Sequence, residues 1–304
     1  MFRYMNSGLK MASPVWEDYE LVDSGDFEKL ERFGRYLLRR PEPQAIWRKS
    51  LSEEEWRTMA DGSFRREGRD EERGGWSLRR GMVEQWRVAY PLGGKRLTFR
   101  LGLTSFKHVG LFPEQADNWE FIYSQVATLA KKLGRAPRVL NLFAYTGGAS
   151  LAAAAAGADV THVDSVRQVV TWARENMEQS NLGGIRWVVE DALKFVRREV
   201  KRGHYYDGII LDPPAYGRGP DGEKWVLEQN IGEMLDCCSQ LLDKQGGFAV
   251  LNLYSMGLSA MLARSAMCQL FPKASSEQFG ELYFTDRFDK SLPLGVYYRA
   301  TYGK

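Results

Sequence analysis

The sequence predicts an α/β protein: a largely parallel sheet covered by helices on both faces and closed by an antiparallel hairpin, preceded by a smaller β-rich domain. Three observations carry this. From residue 139 onward, short continuous apolar runs alternate with segments of helical spacing, the pattern of buried parallel strands and their crossover helices. The C-terminal stretch breaks that rhythm with two aromatic-rich runs joined by a turn. Before about residue 104, short apolar runs are instead punctuated by turn residues.

In the first segment, residues 19–22 and 29–33 flank Ser24-Gly25-Asp26 and form a hairpin pattern; residues 86–90 and 97–101 flank Pro91-Leu92-Gly93-Gly94 and form another. Between them, residues 65–75 are charged and glycine-containing, so an exposed loop is expected. Six of the nine tryptophans lie in residues 1–120, where a small β-rich domain needs core. Residues 114–133 place Trp119, Ile122, Val126 and Leu129 on one helical face, with Gly134 as the stop. Strands are then expected at 139–143, 160–163, 185–189, 208–211 and 248–253. Helices are expected at 149–156, 167–179, 192–202 and 223–242. Residues 279–285 and 296–302, around a turn at 289–294, complete a seven-stranded sheet. The expected domains are 1–104 and 105–304.

Composition narrows the classes. The 304 residues carry a formal net charge of only +3, but residues 29–107 hold 19 Lys and Arg against 11 Asp and Glu, and the remainder is net negative. That asymmetry points to a polyanion facing the first third, with a solvated arginine-rich surface as the plainer alternative. Three cysteines, two of them adjacent, and three scattered histidines give no metal-ligand spacing, so no metal site is expected. The N-terminus lacks an apolar core of signal-peptide length, and the run at 151–156 is too short to span a bilayer. A soluble protein of a reducing, cytoplasmic compartment is expected, with no membrane partner.

In a parallel sheet, ligands bind beyond the carboxyl ends of the strands near the point where strand order reverses. After the first parallel strand comes Phe143-Ala144-Tyr145-Thr146-Gly147-Gly148-Ala149-Ser150. Two glycines at a strand-to-helix turn let backbone approach a ligand, and the helix N-terminus offers N–H groups to an anion. After the second strand come Asp164 and Ser165; an ionised carboxylate here can accept both hydroxyls of a ribose. After the third come Asp191 and Ala192, an acid that can accept from an adenine amino group or cap the next helix. These three features suit NAD as well as S-adenosylmethionine.

After the fourth strand comes Asp212-Pro213-Pro214-Ala215-Tyr216. Two prolines fix φ and offer carbonyls without donors of their own. An Asp carboxylate and a Pro carbonyl can hold an N–H and aim the nitrogen lone pair at a methyl group, which is catalysis by positioning. Tyr216 can stack on a planar substrate.

Residues 138–304 resemble a class I S-adenosylmethionine-dependent methyltransferase, with residues 143–150 as cofactor loop and 212–216 as transfer loop. The resemblance implies a seven-stranded Rossmann-like methyltransferase sheet. Within the superfamily it is nearest the bacterial group of large-subunit ribosomal RNA methyltransferases, of cytosine-C5 and guanine-N7 type. It extends upstream to Gly110-Leu111-Phe112-Pro113-Glu114-Gln115-Ala116-Asp117-Asn118-Trp119, similar to a Gly-x-Phe-x-Asp-Gln-Arg-x-Asn-Arg stretch that helps cover the cofactor. Glu114, Ala116 and Trp119 depart from that pattern; Phe112 and Gln115 are carried over as cofactor residues. Tyr254, Ser255 and Lys107 are substrate-side candidates.

Carbon-5 methylation of cytosine needs a nucleophilic thiolate, normally in the loop after the fifth strand. That loop here reads Asn252-Leu253-Tyr254-Ser255-Met256-Gly257, and Cys237, Cys238 and Cys268 fall in expected helices, so a nitrogen acceptor fits better. The small RNA-hook domain that often starts members of this group has no recognisable copy. The leading reading is methyl transfer to a base nitrogen in ribosomal RNA. Methylation of a protein side chain or small amine, an NAD-dependent oxidoreductase, and a non-catalytic RNA-binding protein remain as alternatives.

Overall fold

The computed structural model describes residues 10–67, 73–243, 245–254 and 257–303. The chain begins with β1 (Lys10–Ala12), β2 (Tyr19–Gly25), β3 (Glu28–Phe33), β4 (Tyr36–Pro41), α1 (Glu53–Met59), β5 (Gly62–Arg66), β6 (Gly74–Leu78), β7 (Gln85–Leu92) and β8 (Lys95–Gly102). Strands β2 to β6 form one sheet in chain order, and β7–β8 a separate hairpin. The step from β4 to β5 is a parallel pairing, which a tight turn cannot make; α1 carries the crossover. A reciprocal cap starts α1: Ser52 accepts from the Glu55 N–H while the Glu55 carboxylate accepts from the Ser52 N–H. Fully buried Trp56 anchors it, its indole N–H donating to Asp23 at 2.7 Å. The loop expected at 65–75 is instead strand at both its ends, with β5 and β6 paired from Gly62↔Leu78 to Arg66↔Gly74. Residues 68–72 of that expectation lie outside the described residues.

A 3-10 turn at Pro113–Gln115 leads into α2 (Ala116–Leu133), stopped by left-handed Gly134. There follow β9 (Arg138–Leu142), α3 (Gly148–Ala155), β10 (Asp159–Asp164), α4 (Arg167–Gln179), β11 (Ile185–Val189), α5 (Ala192–Arg202), β12 (Gly208–Leu211), β13 (Tyr216–Arg218), β14 (Lys224–Val226), α6 (Leu227–Leu241), β15 (Gly247–Leu253), α7 (Ala260–Leu270), β16 (Ser276–Thr285) and β17 (Ser291–Tyr302). The large sheet runs β1-β16-β17-β15-β12-β9-β10-β11. Strands β15, β12, β9, β10 and β11 are parallel to one another, and β17 enters antiparallel between β15 and β16. The chain builds outward from β9 to β11, then returns to the other side with β12, so the switch point lies between β9 and β12.

Two expectations need correction. The sheet has eight strands, because β1 pairs parallel with β16 at its edge. Three residues are too few to show a period, and the pairing depends on Gly280, where a Cβ would sit 1.6 Å from the Lys10 carbonyl oxygen. The helix expected from residue 223 begins at Leu227, because residues 216–226 form the β13–β14 hairpin, which folds Trp225 inward to 3% exposure.

Apolar side chains cover both faces of the sheet. Alternation along β9 sends Val139 to the face packed by α2 and α3, and Leu140 and Leu142 to the face packed by α5 and α6. The first core also takes in Trp16, Phe33, Trp86 and Phe99 from the N-terminal segment.

Candidate active site

The loop after β9 is built under backbone constraint. Phe143 and Tyr145 hold φ of 54° and 48°, left-handed values that non-glycine residues adopt only when surroundings demand them. The demand comes from neighbouring strand ends. The Ala144 N–H donates to Val163 O at 3.1 Å, and the Tyr145 N–H donates to the Asp164 carboxylate at 2.9 Å. Gly147, at φ 91°, caps α3, and Gly148 packs so closely on Trp119 that a Cβ would lie 2.5 Å from the indole. The first N–H groups of α3 are thereby presented at the end of β9.

Asp164 also accepts from the Val166 N–H at 2.9 Å. Burial still raises its pKa against these hydrogen bonds. A carboxylate has about four acceptor sites, so capacity remains for further donors. Asp191 caps α5, accepting from the Lys194 N–H at 2.8 Å, with Ala192 buried behind it.

Asp212 differs from both. Its Oδ1 is buried and has no hydrogen-bond partner among the described residues. Burial pushes the carboxyl up to about 7, with the charge of Glu114 adding to the shift. Glu114, 3% exposed in the 3-10 turn, is itself pushed up to about 7 by burial, opposed by nearby Lys29. The Tyr254 hydroxyl accepts from the Gln115 amide and feels the charges of both acids. Burial and the adjacent charges of Glu114 and Asp212 raise its hydroxyl pKa.

Gln115 is fixed by an amide network. Asn118 donates to Gln115 and Asn252, each at 2.7 Å, Asn252 donates to Gln115 at 3.0 Å, and Arg299 donates to Asn118 and Asp117. The Phe112 ring lies 5.4 Å from Tyr145 and 5.5 Å from Tyr254.

A cavity opens where these pieces meet. Of the residues singled out from sequence, Phe112, Gln115, Phe143, Ala144, Tyr145, Thr146, Gly147, Gly148 and Asp212 line it. Asp164, Ser165, Asp191, Ala192, Pro213, Tyr254 and Lys107 do not form its wall. Tyr216 is 51% exposed in β13, with its hydroxyl accepting from Arg218. Ser255 lies outside the described residues. The Pro214 carbonyl accepts from the Trp225 indole at 2.7 Å. The Ala215 carbonyl likewise accepts from the Leu227 N–H, at the start of α6.

Asn118, Asn141 and Asn252 line the cavity without having been anticipated. A signal existed for two of them. Leu140-Asn141-Leu142-Phe143 and Leu251-Asn252-Leu253-Tyr254 repeat one pattern, a single amide inside an apolar strand, where a polar group costs free energy unless paired. All three cysteines are free, with Cys237 and Cys238 in α6 and Cys268 in α7, away from the cavity wall. Among the described residues, no group of three or more His, Cys, Asp or Glu is placed to hold a metal, and no helix is long and apolar enough to cross a membrane.

A switch-point cavity floored by a glycine turn, with a carboxylate at the end of each neighbouring strand, defines a nucleoside-cofactor enzyme of the α/β class. The particular family follows from comparison: residues 69–275 match the S-adenosylmethionine-dependent methyltransferase family, and the chain belongs to it. A solved S-adenosylmethionine-dependent methyltransferase from Agrobacterium tumefaciens is 37% identical, covering 96% of this chain and 93% of that one at a TM-score of 0.85. SMU.776, solved with S-adenosylhomocysteine, shares the fold at 17% identity and a TM-score of 0.69, over 93% of this chain and 75% of that one. Ribosomal RNA large subunit methyltransferase K/L of Shewanella frigidimarina is 31% identical over 152 residues, and that of Shewanella oneidensis 36%. Each match spans 49% of this chain but only 20% of the relative's length. The protein is a methyltransferase with S-adenosylmethionine as cofactor, and the oxidoreductase alternative falls.

Proposed function

We propose that this enzyme methylates a nitrogen of a nucleic-acid base, in ribosomal RNA. The observation that carries the reading is the buried Oδ1 of Asp212 on the cavity wall, without a partner among the described residues. A buried acceptor left unpaired is costly, and an amine or ring N–H of a planar acceptor is the donor that satisfies it. With the carbonyls of Pro214 and Ala215 committed to the fold, Asp212 and Pro213 are the pair that hold and orient the acceptor nitrogen.

The same residues fit the cofactor. The α3 N-terminus at Gly147 and Gly148 suits its carboxylate. Asp164, with Ser165 beside it, has spare acceptors for the ribose hydroxyls, and Asp191 with Ala192 offers an acid at the adenine end. Phe112, Gln115 and the Phe143-to-Thr146 backbone cover it. When bound, S-adenosylmethionine supplies an electrophilic methyl group. The chain's own part is to exclude water with Phe112, to orient the acceptor on Asp212 and Pro213, and to take the departing N–H proton on the Asp212 carboxylate. Tyr254 and Tyr216 flank the acceptor, and Lys107 belongs to the approach.

Nitrogen is favoured over carbon because no cysteine reaches the cavity to add to a pyrimidine ring. RNA is favoured by the names of the K/L relatives and by the positive excess in residues 29–107. The target base must be unpaired or flipped out to reach Asp212. Transfer from tritiated S-adenosylmethionine to an unmodified ribosomal RNA transcript tests the reading. Asp212→Asn is expected to lose at least about 100-fold in rate while binding S-adenosylhomocysteine as wild type does. Label recovered in protein or small amines, but never in RNA, would overturn the substrate; a fully active Asp212→Asn would overturn the site.

A further inference from the structure

One buried side chain belongs to neither the cofactor loop nor the transfer loop, yet touches both. Trp225 of β14 donates its indole N–H to the Pro214 carbonyl at 2.7 Å, and its ring lies 4.7 Å from that of Phe143, centroid to centroid. Phe143 is one of the two left-handed residues of the cofactor loop. Such a conformation persists only where its surroundings over-determine it, and the indole adds ring packing to the hydrogen bonds of the strand ends. On the other side, two successive prolines remove backbone donors from the transfer loop. Its position therefore depends on what its carbonyls accept, which is Trp225 at Pro214 and the Leu227 N–H at Ala215.

The hairpin that carries Trp225 is itself held at its far end. Lys194 of α5 pairs with Asp221 at 2.9 Å and Glu223 at 3.1 Å. Gly219 packs against the Asp191 side chain, where a Cβ would lie 3.0 Å from that of Asp191. The ends of β9, β11 and β12 thus meet on one small hairpin through Phe143, Asp191 and Pro214.

We infer that Trp225 is a positioning residue for methyl transfer, locking the acceptor-holding loop to the cofactor loop at a fixed separation. The inference rests on Asp212 and Pro213 as the acceptor pair. Its chemistry explains why an indole stands there: one rigid side chain provides both a ring for Phe143 and a donor for Pro214, whereas phenylalanine keeps only the first function. Displacing an acceptor by about 1 Å costs on the order of 100-fold in rate, so loss of the donor acts on turnover before it acts on cofactor affinity.

The test uses full-length Trp225→Phe and Trp225→Leu beside Asp212→Asn. Trp225→Phe is expected to bind S-adenosylhomocysteine within about twofold of wild type in calorimetry. Its kcat at saturating cofactor should fall about 10- to 100-fold, and amide hydrogen exchange across residues 212–217 should speed up in the S-adenosylhomocysteine complex. Trp225→Leu, which also releases Phe143, should lose cofactor affinity by about tenfold or more. Wild-type turnover and unchanged protection of 212–217 in Trp225→Phe would overturn the proposal, as would equal losses in affinity, kcat and melting temperature, the mark of a merely structural residue. If Asp212→Asn is inactive while Trp225→Phe is fully active, only the role of Trp225 fails; if Asp212→Asn is fully active, the acceptor reading fails. Should no acceptor be methylated, hydrogen exchange and cofactor affinity still decide.

Discussion

Glu114 and Asp212 share one electrostatic problem, since each is buried and each is pushed up to about 7. Asp212 must be ionised to take the departing N–H proton, so kcat/KM is expected to rise with pH through about 7. Glu114→Gln removes the lesser cause of the shift and should move that acid limb to lower pH, while burial keeps it above the ordinary carboxylate range. A limb that stays in place would assign it to another group. Both carboxyls have folded pKa values above their unfolded ones, so their contribution to stability is full below about pH 4 and is lost as pH rises through 7. His162 has the opposite sign. It is fully buried, its Nδ1 lies 3.0 Å from Ser150, and burial lowers its pKa to about 3. Its contribution is full above about pH 6.5 and is lost as pH falls toward 3, at up to roughly 1.4 kcal/mol per pH unit. Urea titrations of His162→Asn against wild type between pH 7 and pH 4 should show a shallower acid loss; identical pH slopes would mean the imidazole is not the group responsible.

Among elements, the amide network fixes how the 3-10 turn, α2, β15 and β17 meet at the cavity. Asn118 is its hub, donating to Gln115 and Asn252 and accepting from Arg299. Asn118→Leu leaves a buried guanidinium and two buried amides short of partners, which is expected to cost about 3–5 kcal/mol. Urea unfolding should show a lower midpoint at unchanged slope, with Asn118→Asp losing less because it still accepts from Arg299. Equal stability of Asn118→Leu and wild type would mean the network relaxes freely. This network also marks where sequence stops being informative. The helices at 167–179 and 192–202 and the strands at 185–189 and 208–211 are legible to the residue from their apolar period, and at 192–202 a cap at Asp191 and a glycine stop at Gly203 agree with it. Asp164 and Asp212 are legible because each ends a strand. Strands β1, β13 and β14 are not, since three residues carry no period. The helix α1, with three glutamates and only Trp56 to bury, hides for a similar reason. Trp225 and Asn118 act through partners 11 and 134 residues away, at Pro214 and Asn252, and no local pattern announces such pairings.

At the scale of the molecule, the change of topology near residue 104 is not matched by a change of core. Trp16 packs edge-on to Phe99 and Trp119, with ring centroids 6.3 and 5.8 Å away, so strands of the first segment and helix α2 share one aromatic cluster. Polar contacts repeat the connection. Trp172 of α4 donates to Arg100 O at 2.9 Å, Asn176 accepts from the Arg100 N–H at 2.8 Å, and Ser180 accepts from the Thr98 N–H at 2.9 Å. At the far edge, Lys290 pairs with Asp23 at 2.7 Å, Ser24 donates to Asp286 at 2.8 Å, and β1 pairs with β16. Separating the segments would expose Trp119, Leu151 and the alanine face of α3, a loss that no surface turn at residue 104 can offset. The segments are therefore expected to unfold together, with one calorimetric transition whose van't Hoff and calorimetric enthalpies agree. Trp119→Ala, costing about 3–5 kcal/mol, should lower that single transition without splitting it. Residues 105–304 expressed alone should aggregate or bind a hydrophobic dye. Two resolved transitions, or a soluble and cofactor-binding 105–304 fragment, would instead mean that the N-terminal segment is a detachable unit and that the shared cluster only docks it.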